Sequence, residues 1–255
     1  MSSTSPTVDL NCDLGEGFGR YSLGCDEEVI PLVSSVNVAC GMHAGDPLTM
    51  AATVRRAADA GVAIGAHPGY PDLQGFGRRD MALSPDEVYA FVLYQLGALA
   101  AFAHASGARL HHVKPHGQLY NRAAKDPACA KAVAQAVRDF DPGLVLVGLA
   151  GGALVRRGGE LGLRVAHEFF ADRAYADDGS LVPRNQPGAL VNDEDEAVRR
   201  TVRAVKEGVV TTRDGRDVEV CAQTVCLHGD GPSALAFARR LRAGLEEAGV
   251  AIRPL

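Results

Sequence analysis

The feature that most constrains this chain is a rhythm: short β-branched runs alternate with longer Ala-rich segments, about seven times from end to end. The expected strands are "TVDLNCD", "SSVNVAC", "VAIGAHP", "ARLHHVKP", "LVLVGLAG", "RVAHEFFAD" and "QTVCLHGD". Between them, helical patterns cover 47–60, 84–106, 126–140, 152–161, 192–207 and 232–248. Helix starts are marked chemically. Ser84-Pro85 with Glu87 has the spacing of a capping box, and Asp46-Pro47 and Asp126-Pro127 set a side-chain acceptor ahead of a helix-compatible proline. Strands that alternate with helices in this way build a parallel sheet covered by helices. The expected fold is α/β: a (β/α) barrel of seven strands, TIM-like, formed as a single domain over residues 1–255. Residues 1–6 read as a flexible tail. Residues 209–220 read as a hairpin insertion, because Asp214-Gly215 separates two β-branched runs.

Side chains alternate faces along a strand. On the first strand Val8, Leu10 and Cys12 share one face, and Asp9, Asn11 and Asp13 share the other. Three polar groups on one face of a buried strand cost several kcal/mol unless hydrogen-bonded, so they face a polar cavity or each other. The pattern recurs with Asn37 ahead of His43, with Gly65 and His67, and with His112, Lys114 and His116. It continues with Glu168 and Asp172, then with Thr224, Cys226, His228 and Asp230. These residues fall late in their strands. In a parallel barrel the carboxyl ends of all strands open on one rim, where sites form. Residues remote in sequence are therefore expected to converge. Other candidates have plainer roles: Asp126 as a cap, His104 as a structural residue on a helix, His111 in packing and His167 as scaffold. Asp46 can cap the helix at Pro47 whatever else it does.

At 47% hydrophobic residues the chain has the apolar material for a substantial core. A net charge of -5, no basic tract, and 5% aromatic residues with no Trp disfavour nucleic acid and anionic membrane as partners. The longest apolar helix, "VYAFVLYQLGALAAFAHA", contains Gln95 and reads as a buried helix, not a membrane span. "MSSTSPT" lacks the basic and apolar regions of a signal peptide, so a cytoplasmic location is expected. The six cysteines include no C-x-x-C pair, which points away from a disulfide framework or a structural zinc. "GEGFGR" (15–20) brings its third glycine one position too early for a dinucleotide loop, and no lysine sits in a Walker A sequence. "GYPDLQGFGRR" (69–79) leaves directly from His67 and reads as a lid, with Arg78 or Arg79 reaching an anionic group.

Six blocks run in order from the first strand to the last: "DLNCDLGE", "VNVACGMHAGD", "GAHPGYPDLQGFGRRDM", "VKPHGQLYN", "EFFADRAY" and "CLHGD". Together they resemble the LamB/YcsF family over essentially the whole chain. The resemblance implies a barrel similar to those of glycoside hydrolases and polysaccharide deacetylases. It also implies the A subunit of a bacterial 5-oxoprolinase, which works with B and C partner subunits and uses ATP to open 5-oxoproline (pyroglutamate) to glutamate. By position, the family's polar motif residues fall here on Asn11, Asp13, Glu16, Asn37, His43, Asp46 and His67. They continue at Lys114, His116, Glu168, Asp172, Arg173, His228 and Asp230. Gln118 stands where a small residue is expected.

Opening a lactam needs an electrophilic amide carbonyl, an activated water and a proton for the leaving nitrogen. The implied co-substrate, ATP, would phosphorylate the amide oxygen. With no P-loop here, it would bind a different kind of site on this rim or sit with the partner subunits. The expected catalytic set is Asp13, His43, His67, Lys114, His116, Asp172 and His228. Asp13 leads as general base, with partial burial and neighbouring acids expected to raise its pKa. The expected substrate-binding set is Asn11, Glu16, Asn37, Asp46, Arg78, Arg79, Glu168, Arg173 and Asp230. The substrate carboxylate calls for a cation, from Lys114, Arg78, Arg79 or Arg173. Two other readings stay open: a stand-alone metal-dependent amidase or deacetylase, and a non-catalytic lactam-binding subunit. His and Asp are suitable metal ligands. Deacetylases of the similar fold, however, carry two His one helical turn apart, whereas His43 and His67 come from separate strands. The sequence leaves open whether a metal binds.

Overall fold

The computed structural model describes residues 5–228 and 234–255. From the amino end the elements are β1 (Thr7–Leu14), α1 (Asp26–Val29), β2 (Ser35–Ala39), α2 (Pro47–Asp59), β3 (Ala63–His67), α3 (Pro85–Ala105) and β4 (Leu110–Val113). There follow α4 (Gly117–Lys125), α5 (Pro127–Phe140), β5 (Val145–Leu149), α6 (Ala153–Glu160), β6 (Arg164–Phe170) and α7 (Glu194–Glu207). The last are β7 (Val209–Thr211), β8 (Asp217–Glu219), β9 (Thr224–His228), α8 (Ala234–Glu247) and β10 (Ala251–Ile252).

Strands β1 to β6 and β9 pair side by side, and β9 pairs again with β1, so seven strands close a barrel. Every pairing in the ring is parallel. The register sets Asp13 beside Asn37 on one side and His228 on the other, which brings the late positions of three strands to one level. Strands β7 and β8 form the antiparallel hairpin expected over 209–220. The short β10 extends β1 by pairing Ala251 with Thr7, and the Ala251 amide donates to the Pro6 carbonyl at 2.9 Å. Pro6, within the tail expected over 1–6, is thus tied to β10. Residues 1–4 lie outside the described residues.

The apolar core lies between barrel and helices. Val8, Leu10, Cys12 and Leu14 point outward from β1 into it, all buried. The longest helix, α3, begins at the expected capping box: the Ser84 hydroxyl accepts from the Glu87 amide, and the Ser84 amide donates to Glu87 Oε2 at 2.8 Å. This helix is long and apolar enough by composition to cross a membrane. Its buried stripe of Val88, Val92, Leu96 and Leu99 belongs to the main core, and it packs on α5. Gln95 is fully buried on it, its amide paired with both the N–H and the C=O of Gly69 at 2.9 Å.

The inward face of the barrel is polar, as the alternation on β1 requires. At the bottom, Asp9 Oδ1 accepts from the hydroxyls of Ser34 and Ser35, both at 2.6 Å, and Oδ2 accepts from Thr224 at 2.5 Å. One layer up, Asn11 donates to Glu168 Oε1 at 3.1 Å and to Thr224 at 2.6 Å. Asn37 donates to Asn11 Oδ1 at 2.7 Å and accepts from His112 Nε2 at 2.8 Å. These bonds offset the desolvation that buried polar groups would otherwise suffer. Burial pushes the Asp9 carboxyl up, against the three hydroxyls that stabilise its charge.

Candidate active site

The top layer of this interior is the floor of a cavity of about 740 Å3. Asp13, Glu16, His67, Lys114 and His116 line it. Lys114 follows β4 and crosses the barrel. Its Nζ lies 2.9 Å from Asp13 Oδ1, 2.9 Å from Glu168 Oε1 and 3.0 Å from Cys226 Sγ. Burial alone would pull the ammonium pKa down, but Asp13, Cys226 and Glu168 outweigh it and hold the group charged. Asp13 Oδ1 also accepts from Asn37 Nδ2 at 2.9 Å, and its Oδ2 lies 3.3 Å from His67 Nε2. The neighbours of this carboxylate include an ammonium, an amide and an imidazole.

Three imidazoles close one side of the floor. His67 ends β3, His116 precedes α4, and His43 lies in the turn between β2 and α2. The rings of His43 and His116 stack with centroids 3.7 Å apart, and His67 meets both edge-on. Burial, then the other two imidazoles, push His43 well below the usual histidine range. Burial also takes His116 down to about 3. Glycine makes this packing possible. A Cβ on Gly69 would stand 2.5 Å from His43 Nδ1, and one on Gly77 would stand 2.8 Å from His43 Cβ.

The segment 69–79, expected as a lid, is a folded wall. Buried Asp72 accepts from the Gly75 amide at 2.9 Å and from Arg79 Nε at 2.9 Å. The Gly77 carbonyl accepts from the Gln118 amide at 2.9 Å. Phe76 is in the left-handed region, with φ of 55°, and its carbonyl meets His116 Nε2 at 2.8 Å. Arg79 is therefore spent on Asp72 and does not line the cavity, whereas Arg78 does.

Two further expected residues sit off the cavity. Asp46 accepts from the amides of Leu48 and Thr49 as an N-cap, and its other oxygen accepts from the Gly19 amide at 2.7 Å. It steadies the loop that carries Glu16 and does not line the cavity. Asp172 falls in the turn after β6, its carbonyl accepting from the Val191 amide, and is not a lining residue either. Asn11, Asn37 and Glu168 lie beneath the floor and support it. Of the four expected anchors, Lys114, Arg78 and Arg173 line the cavity and Arg79, held by Asp72, does not. The side chain of His228, and Asp230 altogether, lie outside what is described. All six cysteines are free.

The sequence model of the LamB/YcsF family matches residues 8–255. The chain belongs to the LamB/YcsF family. It is similar to the 5-oxoprolinase A subunit of Geobacillus kaustophilus, 58% identical over 97% of this chain and 96% of that one. It is similar also to the corresponding 5-oxoprolinase subunit of Bacillus subtilis, 54% identical over 96% and 95%. Among solved structures, a lactam utilization protein from Thermus thermophilus superposes with a TM-score of 0.93 at 53% identity, covering 98% of this chain and 100% of that one. A family 4 carbohydrate esterase from Streptomyces lividans, TM-score 0.50 and 14% identity over 97% and 91%, shares the fold alone.

One wall of this LamB/YcsF cavity is not among the residues singled out from the sequence. Helix α4 brings Tyr120, Asn121 and Lys125, and the loop before α7 brings Arg184 and Asn185. Leu119, Tyr120 and Ala123 are buried on α4 at helical spacing. That signal is present in the sequence, but Pro115 and Gly117 on either side of His116 read as loop.

Proposed function

We propose that this chain catalyses the hydrolytic ring opening of 5-oxoproline to glutamate, with ATP as co-substrate, as the A subunit of a 5-oxoprolinase working with B and C partner subunits. The observation that carries this reading is the Lys114–Asp13 pair on the floor of a cavity that also presents three imidazoles and several arginines. The names borne by the similar chains, a 5-oxoprolinase A subunit and a lactam utilization protein, support a lactam substrate and a multi-subunit assembly.

In this reading the γ-phosphoryl of ATP moves to the lactam oxygen and ADP departs. Water adds at the phosphorylated carbon, the ring C–N bond breaks as the nitrogen takes a proton, and a second water hydrolyses the resulting acyl phosphate to the side-chain carboxylate and inorganic phosphate. Asp13 accepts the water proton, and Lys114 holds its carboxylate aimed at the cavity. Asp13 then returns that proton to the departing nitrogen. Buried Arg173, whose Nε makes no hydrogen bond among the described residues, anchors the substrate carboxylate. The volume beyond a five-membered ring receives the phosphoryl group, beside Arg78 and Lys125.

Labelled 5-oxoproline and ATP, given to this chain alone and then with its B and C partners, test the reading. Glutamate and ADP in equal amounts from the assembled complex are expected. No glutamate from the complex would overturn it.

A further inference from the structure

Two backbone carbonyls fix which ring nitrogens on the cavity floor carry protons. A carbonyl oxygen only accepts, so His67 Nδ1, 2.7 Å from the Lys114 carbonyl, carries a hydrogen. For the same reason His116 Nε2, 2.8 Å from the Phe76 carbonyl, carries one. In the neutral rings His67 Nε2 and His116 Nδ1 are then both lone-pair nitrogens, and they face each other at 3.0 Å. Glu16 Oε1 lies 3.4 Å from that same His116 nitrogen and 3.5 Å from His43 Nε2. His43 is fully buried, and neither of its ring nitrogens makes a hydrogen bond among the described residues.

We infer that Glu16, His43, His67 and His116 bind a divalent transition-metal ion of the zinc class. Four side chains bring one ligand atom each to the same place, all within 4.8 Å of one another. The nearest separations, 3.0 to 3.5 Å, match the edge of about 3.4 Å that tetrahedral coordination at about 2.1 Å produces. A single proton shared by His67 and His116 would relieve that pair and leave the convergence of His43 and Glu16 on the same centre without a cause. Imidazole with one carboxylate suits zinc and its neighbours better than magnesium or calcium.

The surroundings are those of a metal centre. Metal-bound imidazoles donate their other N–H to a carbonyl or carboxylate, as His67 and His116 do here. The left-handed Phe76 turns its carbonyl to that task at a cost in backbone strain. Gly69 and Gly77 bring the chain against the His43 and His116 rings, where any Cβ would displace them. Glu16, His67 and His116 line the cavity while His43 lies behind, so the ion has an open side toward a ligand. Binding of the ion stands apart from the lactam chemistry. Only its use there, as a Lewis acid on the carbonyl or the attacking water, rests on the proposed function.

The test is direct. The purified full chain is stripped with a chelator and titrated with Zn2+, Mn2+ and Co2+ by calorimetry, and the Co2+ form is examined by visible absorption. One saturable ion per chain is expected, with the absorption of low-coordinate cobalt. Glu16→Gln and His67→Gln should each weaken binding roughly hundredfold, while His104→Gln, on the exposed face of α3, should leave it unchanged. Circular dichroism of the stripped proteins checks folding. If His67→Gln does not fold, Glu16→Gln decides, because its side chain stands at the cavity wall. No saturable binding, or binding indifferent to Glu16→Gln, would overturn the inference while leaving lactam turnover to its own assay.

Discussion

Lys114 and Glu168 meet inside the barrel, Nζ to Oε1 at 2.9 Å, with the glutamate wholly buried and the lysine nearly so. Asp13 completes the arrangement from the cavity side at 2.9 Å. A pair this deep adds little net stability, because desolvation of both charges consumes most of their attraction. Its effect is positional: it fixes Asp13 against the water or substrate above.

Removal of the cation exposes that cost. Lys114→Met removes the ammonium that both Asp13 and Glu168 meet in the interior. The expected loss is about 3–5 kcal/mol, the range for breaking one side of a buried ion pair. Urea unfolding at neutral pH measures it. An unchanged midpoint would show that the Lys114 contacts do not hold the barrel interior together.

Asp13→Asn separates position from chemistry. The amide keeps the shape, and Lys114 retains Glu168. Circular dichroism should stay native while glutamate formation by the assembled complex falls roughly hundredfold or more, the scale of a lost general base. Turnover close to that of the unaltered complex would remove Asp13 from its assigned role.

Much of this site is legible in sequence because a parallel barrel converts local parity into global position. Asp9, Asn11 and Asp13 alternate on β1, so their common inward face follows from strand geometry alone. The convergence of His43, His67 and His116 is harder to see. They belong to no single helical turn, and what aims their nitrogens is a pair of carbonyls, from Lys114 and Phe76, that no side-chain pattern encodes. Asp46 and Arg79 mislead for a different reason. Each is polar and lies next to the site in sequence, but a nearer partner, the α2 amides for one and Asp72 for the other, satisfies it first.

Two glycines test how tightly the interior is built. A Cβ on Gly65 would stand 2.1 Å from Nε2 of His112, itself buried and pinned to Asn37. Gly65→Ala should therefore cost about 2–3 kcal/mol through overpacking. Gly97, exposed on α3, has nothing within 4 Å of its Cβ position, so Gly97→Ala should stabilise by about 0.5–1 kcal/mol through helix propensity. Urea midpoints of both variants check the contrast. A Gly65→Ala protein as stable as the parent would mean that His112 is free to move.

The same histidine makes a prediction about pH. Burial, then the charges of His111 and Lys114, lower His112 to about 3 from the ordinary histidine value of 6.5. Above pH 6.5 it is neutral in folded and unfolded chains alike and imposes no penalty. As pH falls through 6.5 the unfolded chain takes up a proton that the folded chain refuses, so stability drops and goes on dropping toward pH 3. From this residue alone the loss is about 2 kcal/mol by about pH 5. His112→Gln keeps an amide donor for Asn37 Oδ1 and cannot titrate. Urea midpoints of parent and variant, measured from about pH 7.5 to about pH 5, should diverge in slope, with the variant losing less stability on acidification. Parallel slopes would show that His112 protonates as readily in the folded barrel as outside it.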